Sequence, residues 1–143
     1  MASIKEIQEE IIEEFDFFDD WDDKYGFIID MGKSLKGLDE EFKTDENIIR
    51  GCQSRVWLHG FLEGNKIVFQ AESDAIIVKG IVAMLLRVFS EQTPDDIINT
   101  EIFFMEKIGL EKHLSPTRSN GLVAMIKQIK LYALAFKTKI SQD

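Results

Sequence analysis

Residues 56–71 of the 143-residue chain read VWLHGFLEGNKIVFQA, and no other stretch says as much about the fold. Apolar side chains alternate along its first half, so that Val56 and Leu58 fall on the same face. Glu63-Gly64-Asn65 is typical of a tight turn, and Ile67 and Phe69 restore the alternation after it. A period of two on both sides of a turn predicts an antiparallel β-hairpin with one buried face.

Two helices are predicted before the hairpin. Apolar side chains recur at helical spacing over residues 3–18, and Ser3 with Glu6 matches the capping box that begins many helices. A second apolar stripe, over residues 20–35, predicts another helix. Gly37 follows it, and glycine readily adopts the left-handed conformation that is common after a helix. The chain is therefore expected to begin with two helices and a polar loop.

The remaining predicted elements surround the hairpin. Residues 48–49 indicate a short strand before it, which would give a sheet of about three strands. After it, Ser73 and Asp74 are suitable N-caps for an apolar helix over residues 75–90, of the kind found at the buried centre of a fold. Three more helices are predicted, and they begin near residues 93, 101 and 116. The pattern indicates one α+β domain over residues 1–143, a small antiparallel sheet packed against several helices.

Composition narrows the class of protein. Hydrophobic residues make up 45% of the chain, enough for one core without a disulfide or a metal. The 26 acidic residues outnumber the 17 basic ones and give a formal net charge of −9, which disfavours nucleic acid and anionic membranes as partners. The sequence has no apolar run of membrane-spanning length and no signal-peptide pattern at its start. We therefore expect a cytoplasmic protein whose thiol stays reduced.

Cys52 is the only cysteine and the leading candidate for chemistry. A lone cysteine is often buried and inert, so composition alone leaves a structural role open. Two features favour reactivity, because Gly51 allows a sharp turn and the positive charges of Arg50 and Arg55 favour the thiolate. The sequence places no general base beside the thiol. Since thiolate attack on another sulfur needs no proton shuttle, sulfur exchange suits Cys52 better than attack on an ester or an amide.

Two other kinds of site are less well supported by these residues. A metal site would have to be built from one cysteine and two histidines that lack zinc-site spacing. A thiol hydrolase could use Cys52, His59 and Asp74, which are the right residue types. His59 follows Cys52 along the same predicted strand, however, and would lie roughly 20 Å away in an extended chain. The hydrolase would therefore need His113, or a bend that brings His59 back to the thiol.

Residues 50–58 read RGCQSRVWL and resemble the signature of the SufE family, the sulfur acceptors of iron–sulfur cluster assembly. The likeness continues at residues 21–25, 73–75 and 114–122, so it spans nearly the whole chain. One difference is visible after the second helix, where the family pattern has Leu-Pro and this chain has Lys36-Gly37. The resemblance implies a fold like the IscU-type scaffold, although this chain lacks the extra cysteines with which a scaffold holds a cluster.

The resemblance also implies a function. SufE and the similar CsdE-like proteins bind a cysteine desulfurase, SufS-like or CsdA-like, that uses pyridoxal phosphate. They accept sulfur from its persulfide, stimulate its turnover and pass the sulfur to a scaffold complex, SufBCD-like in the first case. Such a chain has no cofactor and no metal of its own and is not a stand-alone enzyme. By this likeness Cys52 is the acceptor, and the residues assigned to the sulfur site or the partner surface are Arg50, Gly51, Gln53, Ser54, Asp74 and Arg118.

A second interpretation is a regulator that activates the desulfurase by binding alone. Such a protein would keep its effect without the thiol, so the substitution Cys52→Ser separates the two interpretations. A homodimer also stays open, although we expect no long apolar stripe to remain exposed once the helices have packed.

Overall fold

Six α-helices and one β-hairpin make up the part of the chain that the computed structural model describes, residues 2–49 and 54–142. In chain order they are α1 (Ile4–Asp16), α2 (Trp21–Lys33), β1 (Val56–Glu63), β2 (Lys66–Ser73), α3 (Ile76–Phe89), α4 (Pro94–Asn99), α5 (Phe104–Ile108) and α6 (Pro116–Gln142). Short 3-10 turns lie at Glu40–Phe42 and Leu110–His113. The α+β class is as predicted. Within these residues, no helix combines the length and the hydropathy needed to cross a membrane.

The hairpin forms where the alternation predicts it. β1 and β2 pair antiparallel, from Val56 opposite Ser73 to Glu63 opposite Lys66. Gly64 makes the turn with a φ of +66°, a left-handed conformation that glycine adopts without strain. The hydrophobic residues buried on the inner face are Val56, Leu58, Ile67, Phe69 and Ala71.

The sheet has two strands among the described residues, not the predicted three. Ile48 forms a single bridge to Trp57, and the flanking hydrogen bonds run from Ile49 N–H to the Val56 carbonyl and from Leu58 N–H to the Asn47 carbonyl, both 2.8 Å. Pairing goes no further toward the N-terminus because the chain before Asn47 is folded into a turn. There the side chain of Asn47 donates to the carbonyl of Phe42 at 2.7 Å.

Helix α3 is buried along most of its length and forms the centre of the core. It packs against α1, α2, β2 and α6. The closest of these contacts is with α2, where Gly32 faces Gly80 and the two backbones nearly touch. A Cβ atom added to Gly80 would collide with the carbonyl oxygen of Ile28. Two helices can approach this closely only when side chains are absent at the crossing.

One charged residue of α3 ties it to α1. The guanidinium of Arg87 makes two hydrogen bonds to the carboxylate of Glu14 and also lies 3.5 Å from that of Glu10. The hydrogen bond lowers the pKa of Glu14 and raises the pKa of Arg87. Because the pKa of Glu14 is lowered in the fold, the stability it contributes is present above the ordinary glutamate pKa. That contribution is lost as the pH falls through the lowered value.

Helix α5 begins at Phe104, later than the start predicted near residue 101. The reason is Gln8, a fully buried polar side chain of α1. Its carbonyl oxygen accepts from the N–H groups of Phe103 at 2.9 Å and Phe104 at 3.2 Å, and its amide donates to the carbonyl of Glu101 at 3.1 Å. A side chain from α1 thus satisfies backbone groups that an earlier helical turn would have used.

A matched pair of glycine substitutions tests the crossing of α2 and α3. Gly80→Ala should lower the free energy of unfolding by about 1–3 kcal/mol or more, because the new methyl group collides with backbone at Ile28. Gly26→Ala, in α2 with nothing within 4 Å of the added Cβ, should instead raise it by up to about 1 kcal/mol through helix propensity. Urea denaturation followed by circular dichroism measures both. Similar midpoints for the two variants would contradict the close crossing.

Candidate functional site

The ends of the segment that contains Cys52 are held next to each other. Ile49 precedes the segment and Val56 follows it, and the Ile49 N–H donates to the Val56 carbonyl at 2.8 Å. Arg50, Gly51, Cys52 and Gln53 themselves lie outside the described residues. The start of β1, where Val56 lies, is therefore the described end of the chain next to this segment.

Asp74, the residue after β2, lies against Arg55, the residue before β1. Its carboxylate oxygen Oδ1 accepts a hydrogen bond from Arg55 N–H at 3.0 Å, and its own N–H donates to the Arg55 carbonyl at 3.3 Å. Both main-chain groups of Arg55 are therefore held by one residue at the end of β2. Arg55 is three positions from Cys52. The structure thus places Asp74 next to the residue that precedes β1, with its bonds made to the main chain.

The predicted role of Ser73 and Asp74 as N-caps of α3 is wrong. The N-cap is Ala75, which offers no side-chain cap, and α3 starts at Ile76. The carboxylate of Asp74 turns away from α3 because it bonds Arg55 across the hairpin. Ser73 Oγ accepts from Ala75 N–H at 3.3 Å, outside the helix. Serine and aspartate often cap the start of a helix. Here Asp74 instead bonds the main chain of Arg55, and Ser73 bonds Ala75 outside the helix.

The first turns of α6 lie toward the same end of the hairpin. Met125 and Ile129 line a small internal void with Val56 and Leu58 of β1, and further along the helix the Tyr132 hydroxyl donates to the Leu58 carbonyl at 3.3 Å. Burial raises the pKa of this tyrosine. The direction of the helix therefore places Arg118, which lies about 10 Å before Met125, toward the start of β1. Arg118 is exposed, and its N–H donates to the Ser115 hydroxyl at 3.3 Å.

On the outer face of the hairpin, Glu72 holds the preceding loop against β2. Its carboxylate lies 3.8 Å from the Lys43 ammonium and 3.2 Å from that of Lys79 in α3. Lys43 also pairs with Glu40 at 3.0 Å, and that hydrogen bond raises the pKa of Lys43. Glu72 is not among the residues that the sequence predicts for the site. Its position opposite Trp57, one pair from the strand end, was the available signal.

The chain differs from the family pattern at Lys36-Gly37, and this dipeptide lies beside Glu72 in the structure. Helix α2 ends at Lys33, earlier than predicted, and Gly37 takes a φ of +81°. A Cβ atom at Gly37 would lie 2.5 Å from a carboxylate oxygen of Glu72. Proline, whose ring fixes φ near −65°, could not adopt this conformation. The loop therefore takes a path in this chain that a Leu-Pro pair would not allow.

Both histidines stack on aromatic rings. His59 lies against Phe42 with ring centroids 4.1 Å apart, and His113 lies against Trp21 at 3.8 Å. The backbone carbonyl of His113 also accepts from the Tyr25 hydroxyl at 2.5 Å. Among residues 2–49 and 54–142, no group of three or more His, Cys, Asp or Glu side chains is arranged to hold a metal. The described histidines thus have a packing role.

A groove beside β2 does not coincide with the predicted site. It encloses about 510 Å³ between α2, the following loop, β2 and α3, and the residues that line it include Leu35, Lys36, Gln70 and Arg87. None of Ser54, Asp74 and Arg118 is among them. The structure therefore brings Asp74 to Arg55, the residue after Ser54, directs Arg118 to the same end of the hairpin, and shows neither Ser54, Asp74 nor Arg118 in the groove lining.

The contact between Asp74 and Arg55 can be tested by hydrogen exchange. Asp74→Ala removes the acceptor of the Arg55 N–H, so the protection of that amide should fall by about tenfold, the equivalent of one ordinary hydrogen bond. Asp74→Asn keeps an oxygen acceptor and should retain most of the protection. NMR-detected exchange at residue 55 measures both variants. Equal protection in Asp74→Ala and the unmodified chain would show that the carboxylate does not hold the strand end.

Comparison with known proteins agrees with this architecture. The family described as SufE: Fe-S metabolism associated domain matches residues 9–133. An uncharacterized SufE-like protein of Rhizobium meliloti strain 1021 is 42% identical over 127 residues, covering 85% of this chain and 91% of the relative. One of Rhizobium etli is 43% identical over 135 residues, covering 91% of this chain and 88% of the relative. The solution structure of a hypothetical protein from Thermus thermophilus has a TM-score of 0.77 at 17% identity, covers 92% of this chain and 96% of its own, and shares the fold. The chain belongs to the SufE family, whose domain is associated with iron–sulfur metabolism.

Proposed function

We propose that this protein is a sulfur acceptor and carrier in iron–sulfur cluster assembly and that Cys52 holds the sulfur. The observation that carries the proposal is the position of the chain's only cysteine, in a short segment whose two ends are hydrogen-bonded to each other at Ile49 and Val56. Membership of the SufE family supports it independently, because the family is associated with iron–sulfur metabolism. A single thiol suits a carrier, which needs one atom to bind one sulfur.

The proposed transfer is a thiolate exchange with no net oxidation. The Cys52 thiolate attacks the outer sulfur of a persulfide on a cysteine desulfurase, and a new S–S bond forms as the old one breaks. The desulfurase thiolate leaves with the electron pair, and the proton of the persulfide stays on the outer sulfur. Cys52 then carries a persulfide that a second thiolate can attack in the same way. No metal, oxidant or general base takes part.

The surroundings supply position and charge. Asp74 and the Ile49–Val56 hydrogen bond hold the described residues on either side of the segment. In the proposal, Arg50 favours the thiolate, Gly51 allows the close turn, and Gln53 and Ser54 shape the segment. Arg118, exposed at the start of α6, is assigned to the partner surface.

The partners of the proposal are those that the SufE resemblance implies. The donor is a SufS-like or CsdA-like cysteine desulfurase, which brings its own pyridoxal phosphate, and the recipient is a scaffold complex of the SufBCD-like kind. The protein acts in the cytoplasm and is not an enzyme on its own. Its effect on the desulfurase is to remove the persulfide sulfur and so free the active site for the next turnover.

Mass spectrometry of the intact protein tests the carrier role. After incubation with a cysteine desulfurase and cysteine, the chain should gain one sulfur atom at Cys52, and Cys52→Ser should gain none. Cys52→Ser should also fail to stimulate desulfurase turnover. A matched control, Cys52→Ser combined with Ser54→Cys, keeps one thiol but moves it along the segment, and should accept sulfur at least about tenfold more slowly.

Two results would contradict the carrier role. If the unmodified chain gains no sulfur atom in the presence of an active desulfurase, Cys52 is not an acceptor. If Cys52→Ser stimulates turnover as well as the unmodified chain does, the protein is a regulator that acts by binding alone.

A further inference from the structure

Helix α6 exposes an apolar stripe that the packing of the core does not use. Its inner stripe, Leu122, Met125, Ile129 and Ala133, is buried. A second stripe, Val123, Leu131 and Leu134, is 66%, 48% and 54% exposed. The expectation that no apolar stripe would remain exposed is therefore wrong. The sequence pattern did not distinguish the exposed stripe from the inner one, because both lie on the same long helix and their residues alternate along it.

The exposed stripe forms one wall of an open groove between α4 and α6. The groove encloses about 440 Å³, and its lining is Ile98, Val123, Ile126, Lys127, Lys130, Leu131 and Leu134. The Lys130 ammonium donates to the carbonyls of Thr100 at 2.9 Å and Ile98 at 3.4 Å. These contacts cap the C-terminal end of α4 and fix it to α6. The groove thus has a rigid apolar floor.

Both charged residues in the groove lining, Lys127 and Lys130, are basic, although the chain as a whole is acidic. Helix α6 carries five of the chain's 17 Lys and Arg residues and none of its 26 Asp and Glu residues. Lys127 lies in the groove wall, is exposed, and forms no ion pair with any described residue. An occupant of the groove must therefore offer apolar side chains in its centre and carboxylates at its rim.

This charge pattern argues against a second copy of the chain as the occupant. If α6 of one molecule packed on α6 of another, basic side chains would face basic side chains. Helix α1 has the acidic residues that would suit the groove, but its apolar residues Ile4, Ile11 and Phe15 are buried in its own core. Helix α1 of a second copy therefore has no free apolar face to offer to the groove, which favours a helix of another protein.

We propose that the groove between α4 and α6 is a docking site for an acidic amphipathic helix of a partner protein. From Val123 to Leu134 the wall is about 16 Å long, which matches three turns of a helix. Apolar anchors on one face of that helix fill the groove, as in other helix-in-groove complexes. Its glutamates or aspartates face Lys127. The site is separate from the proposed sulfur chemistry and does not depend on it.

Two labelled synthetic peptides test the proposal. Both are helices of about 18 residues with the same leucine stripe, flanked by glutamates in one peptide and by lysines in the other. Fluorescence anisotropy against the full chain should give at least about tenfold tighter binding of the glutamate peptide. Leu131→Asp and Leu134→Asp should each weaken that binding by about tenfold or more. Lys127→Glu should reduce the preference for the glutamate peptide by about three- to fivefold.

Phe17→Asp is the matched control, because Phe17 is 88% exposed but lies at the end of α1, outside the groove. It should bind the glutamate peptide as the unmodified chain does. Absence of binding, equal binding of the two peptides, or an unchanged affinity in Leu131→Asp would overturn the proposal. So would a dimer in sedimentation velocity that Leu131→Asp dissociates, which would make a second copy the occupant. Binding to anionic lipid vesicles that Leu131→Asp abolishes would assign the groove to a membrane surface and likewise overturn it.

Discussion

The close approach of α2 and α3 at Gly32 and Gly80 is the constraint on which the other elements depend. Because no side chains stand between them at the crossing, α3 packs close to α2 and lies at the centre of the core. Its remaining faces are then free to receive the inner side of β2, helix α1 and part of α6. A larger residue at the crossing would separate the two helices by the width of a methyl group or more. The hairpin and α1 would then lose contact with the same buried surface, because close-packed interiors do not absorb such a shift.

The candidate site lies where this core meets the end of the hairpin. The inner residues of β1 rest on α6, while the outer face is held by the ionic contacts of Glu72 with Lys43 and Lys79. Packing thus holds the inner face of β1, ionic contacts hold the outer face of β2, and Asp74 bonds the main-chain groups of Arg55 just before β1. In the proposed function, these contacts would give a group carrier the preorganised base that it needs when it meets one protein after another.

Much of the fold could be predicted because local signals and tertiary structure agree. The alternation over residues 56–71 specified the hairpin and its inner face, and Ser3 with Glu6 does form the capping box that begins α1. Predictions failed where a distant residue supplied the partner of a backbone group. Gln8 satisfies the backbone near Phe104 and delays α5, and Asp74 bonds Arg55 instead of capping α3. In each case the side chain has the chemistry for two roles, and only the folded chain determines which one it takes.

The sequence predicted which residues belong to the candidate site better than it predicted how they are arranged. The SufE resemblance of residues 50–58 named the family, and Cys52 followed because the chain has no other cysteine. The position of Glu72 near the strand end was visible in the sequence, but its ionic partners were not, since Lys43 and Lys79 meet it only in the folded chain. The sequence likewise could not show that α4 would leave the side chains beside the inner stripe of α6 uncovered.

The contact between Asp74 and Arg55 also sets which residues position 55 can tolerate. Asp74 bonds the main-chain N–H and carbonyl of Arg55, not its guanidinium. Every amino acid supplies that carbonyl, and every one except proline supplies the N–H. The two hydrogen bonds at the strand end therefore do not depend on which side chain stands at position 55, proline excepted. Position 55 can change its charge, size or polarity without loosening the segment that bears the thiol, so selection for a new partner can act on it while the architecture stays the same.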